Sequence, residues 1–408
     1  MVAALSERIK CMSMLNFSTS IPLSLYIHIP WCIRKCPYCD FNSHEAREAI
    51  PEELYVQRLI QDLDEHLPRI LDRELKSIFF GGGTPSLFSP QGIEEILAAV
   101  HQRLRMAPSI EITLEANPGT IDESRFVGFR QAGINRLSIG VQSLQDNKLK
   151  ALGRIHDREY ALRAIDSAVR AGFENFNLDL MHGLPEQSVE DALSDIRDAL
   201  AFNPPHLSWY QLTIETNTFF HHQPPRLPDD DILWTIQERG KTVIMDAGLS
   251  QYEVSAYASS GHECQHNKNY WEFGDYLGIG AGAHSKITDF EQQVITRHWQ
   301  VKNPKDYLDP AKALTSQKVV LAPHDILFEF MLNALRLTQG VSADLFKERT
   351  GLALDIAEPA LAIAREKKLL VNDTQVLRAT ELGHRFLNDL LGLFLPQHKN
   401  CPQNLSTK

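Results

Sequence analysis

The chain reads as an α/β protein, a partial (β/α)6 barrel followed by a smaller, mostly helical, winged-helix-like domain. Three observations predict this. Six short apolar, β-branched runs alternate with helix-patterned stretches; glycine and polar residues follow the runs; and the pattern turns mostly helical toward the C-terminus. A chain of 408 residues is too long for one small core and suits a large α/β domain with a satellite. The boundaries expected are a disordered leader over 1–22, a barrel over 23–250, and the HNKNYW segment with a connection to the barrel mouth over 251–320. A helical domain over 321–395 and a tail over 396–408 complete the chain.

SLYIHI (24–29) is the first strand, and a helix follows the cysteine-bearing loop from Pro51 to about Leu71. The series continues with SIFF (77–80), a helix near 90–105, SIEITLEA (109–116), and a helix from Asp122 to Ala132. RLSIGV (136–141), a helix near 157–171, FNLDLM (176–181), a helix near 188–202, LSWYQLTI (207–214) and a helix from Asp230 to Ala247 close it. Strand–helix alternation with short connections builds βαβ units around a parallel sheet. Six units fall short of the eight that close a barrel, so a partial barrel or a doubly wound sheet is expected. Beyond residue 321, DILFEFMLNALRL, ADLFKERTG and PALAIAREKKLL are helical, LLVNDTQVLRATELG suggests a hairpin, and HRFLNDLLGLF a closing helix. Acids such as Asp344, Asp355 and Glu358 mix there with Lys367 and Lys368, with no basic stripe, so a lid or partner-docking role is expected over DNA binding.

Composition narrows the function classes. Hydrophobic content of 43% and charged content of 23% suit a soluble globular protein. No apolar run approaches the roughly 20 residues of a bilayer span. A net charge of −11 argues against a nucleic-acid binder and a polybasic membrane anchor. Glu7, Arg8 and Lys10 interrupt any secretory signal, and Met12 or Met14 is an alternative start. Cys11, Cys264 and Cys401 are scattered, as free thiols in a reducing cytoplasm would be.

The chemistry concentrates where the strands end. The loop WCIRKCPYC (31–39) follows the first strand and GGGTP (81–85) the second; EANPG (115–119), VQS (141–143) and HGLP (182–185) follow the next three. Ligands of α/β sheets sit beyond the carboxyl ends of the strands. Gly119 and Pro185 are explained as turn punctuation, but three consecutive glycines point to close approach of a ligand. Three thiolates with His28 or His44 as fourth ligand would make a zinc site, yet no second C-x-x-C-like knuckle accompanies them. In a [4Fe–4S] cluster the same three thiolates leave one iron open to an exchangeable small molecule.

C-x-x-x-C-x-x-C after the first strand, with GGGTP after the second, resembles the radical S-adenosylmethionine (SAM) superfamily. The likeness runs from about Ser24 to near the C-terminus. It is closest to the branch holding oxygen-independent coproporphyrinogen III oxidase and the HemW-type haem chaperones. The resemblance implies a radical SAM partial barrel in which Cys32, Cys36 and Cys39 hold a [4Fe–4S] cluster whose open iron chelates SAM. It places Tyr26 and Tyr38 along the SAM pocket and Gly82, Gly83 and Thr84 at the methionine head. Glu115, Gln142, Arg154 and Asp179 are implied to hold the methionyl and ribose groups. The oxidase carries a further cysteine where this chain has Phe41, and CPYCDFNSH (36–44) and HNKNYW (266–271) look like the chaperone type. That branch implies haem binding, transfer to acceptor apoproteins, and His266 as haem ligand with Tyr270 and Trp271 packed on the macrocycle; it allows a cluster-dependent homodimer. Without the resemblance, His266 reads as a hydrogen-bonded loop residue. GIGAGAHS (278–285) spaces its glycines wrongly for a dinucleotide site and suits a loop packed against the mouth, with His284 a second candidate. The alternative is a radical SAM enzyme acting on a tetrapyrrole through a 5′-deoxyadenosyl radical.

Overall fold

The structure, a computed structural model, describes residues 15–70 and 72–395. The first six strands are β1 (Leu23–Ile29), β2 (Glu74–Gly82), β3 (Arg105–Ala116), β4 (Arg136–Gln142), β5 (Phe176–His182) and β6 (His206–Gln211). After them come β7 (Ser250–Glu253), β8 (Ala256–Ala258), β9 (Asp275–Ile279), β10 (His284–Asp289), β11 (Val294–Gln300) and β12 (Thr315–Val320). All twelve belong to one sheet in the order β12-β11-β10-β9-β1-β2-β3-β4-β5-β6-β8-β7. β9 through β6 run parallel, and antiparallel strands extend both edges. The barrel is therefore partial, as expected. Strands β1, β4 and β5 are apolar and buried along nearly their whole length, as they must be when helices cover one face and a packed core the other.

The covering helices follow from local pattern. Helix α1 spans Glu52–His66, α2 Pro90–Arg103, α3 Glu123–Gln131, α4 Arg158–Arg170, α5 Val189–Leu200 and α6 Asp230–Asp246. On α4, Ala161, Ala164, Ile165 and Ala168 recur at helical spacing and bury one stripe, while the Asp157 side chain caps the first turn. Ser188 and Asp191 cap α5 reciprocally. The buried Asp195 of α5 accepts from Ser143 Oγ at 2.7 Å and from Leu144 N at 2.8 Å, fixing the loop after β4.

Two expectations need correction. Residues 251–320 are not a mere connection: they supply β9, a seventh parallel strand beside β1, and the antiparallel β10–β12. β9 was illegible because DYLGI opens on a charge. Inside the fold, the Asp275 carboxylate is fully buried and meets Arg73 Nη1 and Lys286 Nζ, each at 2.8 Å, and the Thr288 amide at 2.8 Å. Those cations outweigh burial and hold its pKa below the usual carboxylate range. Nor is the leader wholly disordered. Leu15, Phe17 and Ile21 are buried in the second core, and Asn16 N donates to Gly351 O at 2.9 Å. Residues 1–14 and the tail 396–408, with Cys11, Cys401 and the alternative starts, lie outside the described residues.

The second core is helical. Helix α7 spans Gln265–Trp271 and α8 Pro323–Ala334; shorter helices over Ala343–Thr350, Glu358–Glu366, Glu381–Arg385 and Leu387–Gly392 complete it. The expected hairpin forms through the Leu370–Ala379 bridge, and Val376–Leu377 pairs with Val341–Ser342. Phe273 and Ile295, from the sheet extension, reach into this core with Phe330 and Phe346. The helical domain is thus seated on β9–β11.

Asp275→Asn leaves Lys286 buried without its charge partner. It should cost about 3–5 kcal/mol of stability by chemical denaturation, since breaking a buried pair exposes the full desolvation penalty.

Acid should act through buried neutral histidines. Burial, aided by Arg69 and Lys318, pushes His66 down to about 4 and His298 to about 3, from an ordinary 6.5. Between those values and 6.5 the unfolded chain binds more protons at these two sites, so their contribution to stability is full above 6.5 and falls as pH drops toward 4. A double His66→Gln, His298→Gln variant should show a shallower loss of Tm over that window.

Candidate functional site

The cysteine loop is built by close backbone approach. Gly83 N donates to Ile29 O at 2.8 Å and Thr84 N to Trp31 O at 2.7 Å, stitching GGGTP to the base of the loop. A Cβ at Gly83 would lie 2.5 Å from the Trp31 carbonyl, and Gly82 takes a φ of +117°, so both positions require glycine. The return limb is tied on the other side: Asn42 Nδ2 donates to Ala281 O and Lys302 O, both at 2.9 Å. Side chains at Gly280 and Gly282 would strike His28 O and Asn42, so GIGAGAHS packs against the mouth as expected. Pro37 rests on Gly153, and the Tyr38 ring lies 6.3 Å from that of Phe220.

Beyond the strand ends lies a cavity of about 440 Å³, within the ~300–1,000 Å³ usual for cofactor sites. Cys32, Cys36, Cys39, Tyr38, Gly82, Gly83, Thr84, Glu115, Gln142, Arg154 and Asp179 all line it. Cys32, Cys36 and Cys39 are half-buried free thiols. Burial raises the pKa of Cys32 and Cys39, while Thr84 and Ser43, as hydrogen-bond partners, oppose it. Among the described residues, no group of three or more His, Cys, Asp or Glu could hold a single metal ion. Tyr26 lies one step away, on an adjoining cavity that shares Gly82 and Glu115 with this one.

The polar groups call for a charged ligand. Arg154 is half-buried; it donates to Gly140 O at 2.9 Å and Cys36 Sγ at 3.5 Å, and its Nε has no partner among the described residues. Glu115 accepts from Gly82 N at 3.1 Å, but burial and the Asp179 charge push its pKa up to about 8. Burial raises Asp179 too, although Asn177 Nδ2 at 2.8 Å and Ser138 Oγ at 3.1 Å donate to it. Two half-buried acids with no ion-pair partner among the described residues, opposite an arginine with a spare donor, fit a ligand bearing an ammonium, hydroxyls and a carboxylate. Gln142 sits at a φ of 66°, a left-handed backbone rare for such a residue, and accepts from Tyr210 OH at 2.8 Å. Residues that sequence reading did not single out also line the cavity, among them Asn117, Ser138, Tyr210 and Gln211. The last two sit at the end of β6, and their aromatic and amide character was the available signal. HGLP contributes nothing: Gly183 packs against Leu233.

His266 lies on α7 and is 1% exposed. Ser77 Oγ donates to Ser24 Oγ, so His266 Nδ1–H donates to Ser77 Oγ at 2.9 Å and Nε2 accepts from Tyr270 OH at 2.9 Å. Both nitrogens are thus engaged, and burial with Arg136 lowers its pKa to about 3. Iron ligation there would require giving up one bond. His284 is instead exposed, at the start of β10.

An open parallel barrel with three thiols on the loop after its first strand defines a radical SAM protein. Residues 26–199 match the Radical SAM superfamily and residues 321–386 the HemN C-terminal domain. The chain is 51% identical to "Heme chaperone HemW" of Escherichia coli, covering 92% of this chain and 99% of that one. It is 50% identical to "Heme chaperone HemW" of Haemophilus influenzae, covering 92% and 98%. Among solved structures it is similar to coproporphyrinogen III oxidase HemN from Escherichia coli, with a TM-score of 0.78, 21% identity, and coverage of 95% and 93%. The chain belongs to the HemW family of the radical SAM superfamily. No described helix is long and apolar enough to cross a membrane.

Anaerobically reconstituted protein should carry about four irons and four sulfides per chain. Ala at Cys32, Cys36 or Cys39 should abolish both, while Cys264→Ala should leave them unchanged; iron and sulfide assays with visible absorption decide this.

Proposed function

We propose that this protein is a haem carrier of the cytoplasm that binds haem and delivers it to acceptor apoproteins, holding a [4Fe–4S] cluster with exchangeable SAM. The observation that carries it is the extent of likeness to proteins named as heme chaperones, joined to Phe41 standing where the oxidase has a further cysteine. Cys32, Cys36 and Cys39 would hold the cluster, which supplies one-electron chemistry and an open iron for SAM. Gly82, Gly83 and Thr84 offer backbone to the methionine head. Glu115 and Asp179 accept from ammonium or hydroxyl groups, Arg154 pairs with the carboxylate, and Gln142 and Tyr38 close the walls, with Tyr26 on the adjoining cavity. No residue of this chain is assigned to catalysis. The likeness to the oxidase structure supports a shared fold, and Phe41 favours carriage over turnover.

With SAM and a reductant under anaerobic conditions, coproporphyrinogen III should not be converted to protoporphyrinogen IX. The haem-loaded protein should fill apomyoglobin faster than free haem partitions into it. Robust porphyrinogen turnover, or haem that is only retained, would overturn the proposal.

A further inference from the structure

A second cavity, of about 640 Å³, opens beside the cysteine cavity and shares Asp40, Phe41, Gly82 and Glu115 with it. Its volume too suits a cofactor-sized ligand. Phe41, Tyr270, Trp271 and Tyr276 give it aromatic walls. Phe41 is 60% exposed and so offers its ring to the cavity. The acidic lining, Asp40 and Glu115, belongs to the stretch shared with the cysteine cavity.

The basic lining comes from the sheet extension. His284 opens β10 and Lys286 lies two residues on, so both project from one face; Arg297 of β11 is the cross-strand partner of Lys286 on that face. Lys286 is spent on Asp275, and Arg297 is bound to Glu329 at 3.2 Å with part of its fork on Tyr276 OH. Lys302 is exposed and, among the described residues, has no ion-pair partner. His284 lies edge-on to Trp299 at 5.9 Å, and no hydrogen bond engages its ring among the described residues. A cavity with aromatic walls, basic groups at its edge and an unengaged imidazole suits a flat apolar macrocycle that bears carboxylates and a metal with an open axial position. His266, by contrast, belongs to the hydrogen-bonded packing beneath: it lines a smaller cavity of about 220 Å³ and not this one.

We infer that an iron porphyrin occupies the 640 Å³ cavity, its iron bound by His284 and its carboxylates met by Lys302, while His266 is an internal strut. This rests on the haem-carrier reading and assigns its cargo site. Phe41 then lies on the wall between cargo and cluster.

The test titrates haem and metal-free protoporphyrin IX into the cluster-loaded full chain and its variants. The wild-type chain should give the Soret shift of an imidazole-bound haem. His284→Ala should lose that shift and bind haem about tenfold or more weakly, as removal of a metal-supporting group does, with protoporphyrin affinity unchanged. Lys302→Glu should weaken haem and protoporphyrin alike. His266→Gln should keep the shift and lower Tm. A wild-type spectrum from His284→Ala, or unchanged porphyrin affinity in Lys302→Glu, overturns the inference while leaving the carrier reading intact. Loss of the shift in His266→Gln at wild-type Tm and cluster content overturns it too. A wild-type chain that gives no haem spectrum removes the carrier reading and this site together.

Discussion

Everything at the mouth of the barrel depends on how tightly the cysteine loop is gripped between the ends of two neighbouring strands. On one side Gly82 and Gly83, at the end of β2, bring backbone against Ile29 and Trp31; on the other Gly280 and Gly282, after β9, lie against His28 and Asn42. Side chains at these positions would push the loop away from both neighbours. The grip is mostly backbone to backbone, so it fixes where Cys32, Cys36, Cys39 and Phe41 emerge without constraining what their side chains meet. It also explains why β9 must be a strand of the sheet. Only as the neighbour of β1 can it present its loop to Asn42.

The two cavities divided by this loop differ in polarity. The cysteine cavity sets two half-buried acids, their pKa values raised, against a half-buried arginine, a combination suited to a zwitterionic ligand carrying hydroxyls. Its neighbour has aromatic walls and basic groups on the antiparallel extension. Phe41 faces both. A cysteine there would add a fourth thiol to the loop; a phenylalanine adds apolar surface at the junction. One side chain thus separates a site equipped for a further sulfur ligand from one equipped to stack a flat ring.

The helical domain gains its position from the same extension. Phe273 and Ile295 are buried in its core, and residues 15–21 fill the same core from the other end of the chain. The buried Asp275, Arg73 and Lys286 set joins these parts, since Arg73 also donates to Ile21 O at 2.6 Å. Breaking that set should loosen the floor of the second cavity and the seat of the helical domain together, because both use Phe273.

The six alternating strands, their helices and the polar residues at their carboxyl ends were legible from the amino-acid order alone. Periodicity and turn chemistry are local, and a parallel sheet collects its strand ends at one edge whatever the details. The cysteine spacing and GGGTP carried the family likeness, and with it the residues that the cavity brings together. What the order of residues left open was every feature that depends on distant partners. β9 hid behind a charge that Arg73 and Lys286 neutralise from elsewhere in the chain. Leu15, Phe17 and Ile21 are too few to form a periodic pattern and are buried only because a second core is there to receive them. His266 and His284 are alike as letters in a sequence. Tertiary structure alone separates them, by closing Ser77 and Tyr270 around one imidazole and leaving the other at the edge of an aromatic cavity.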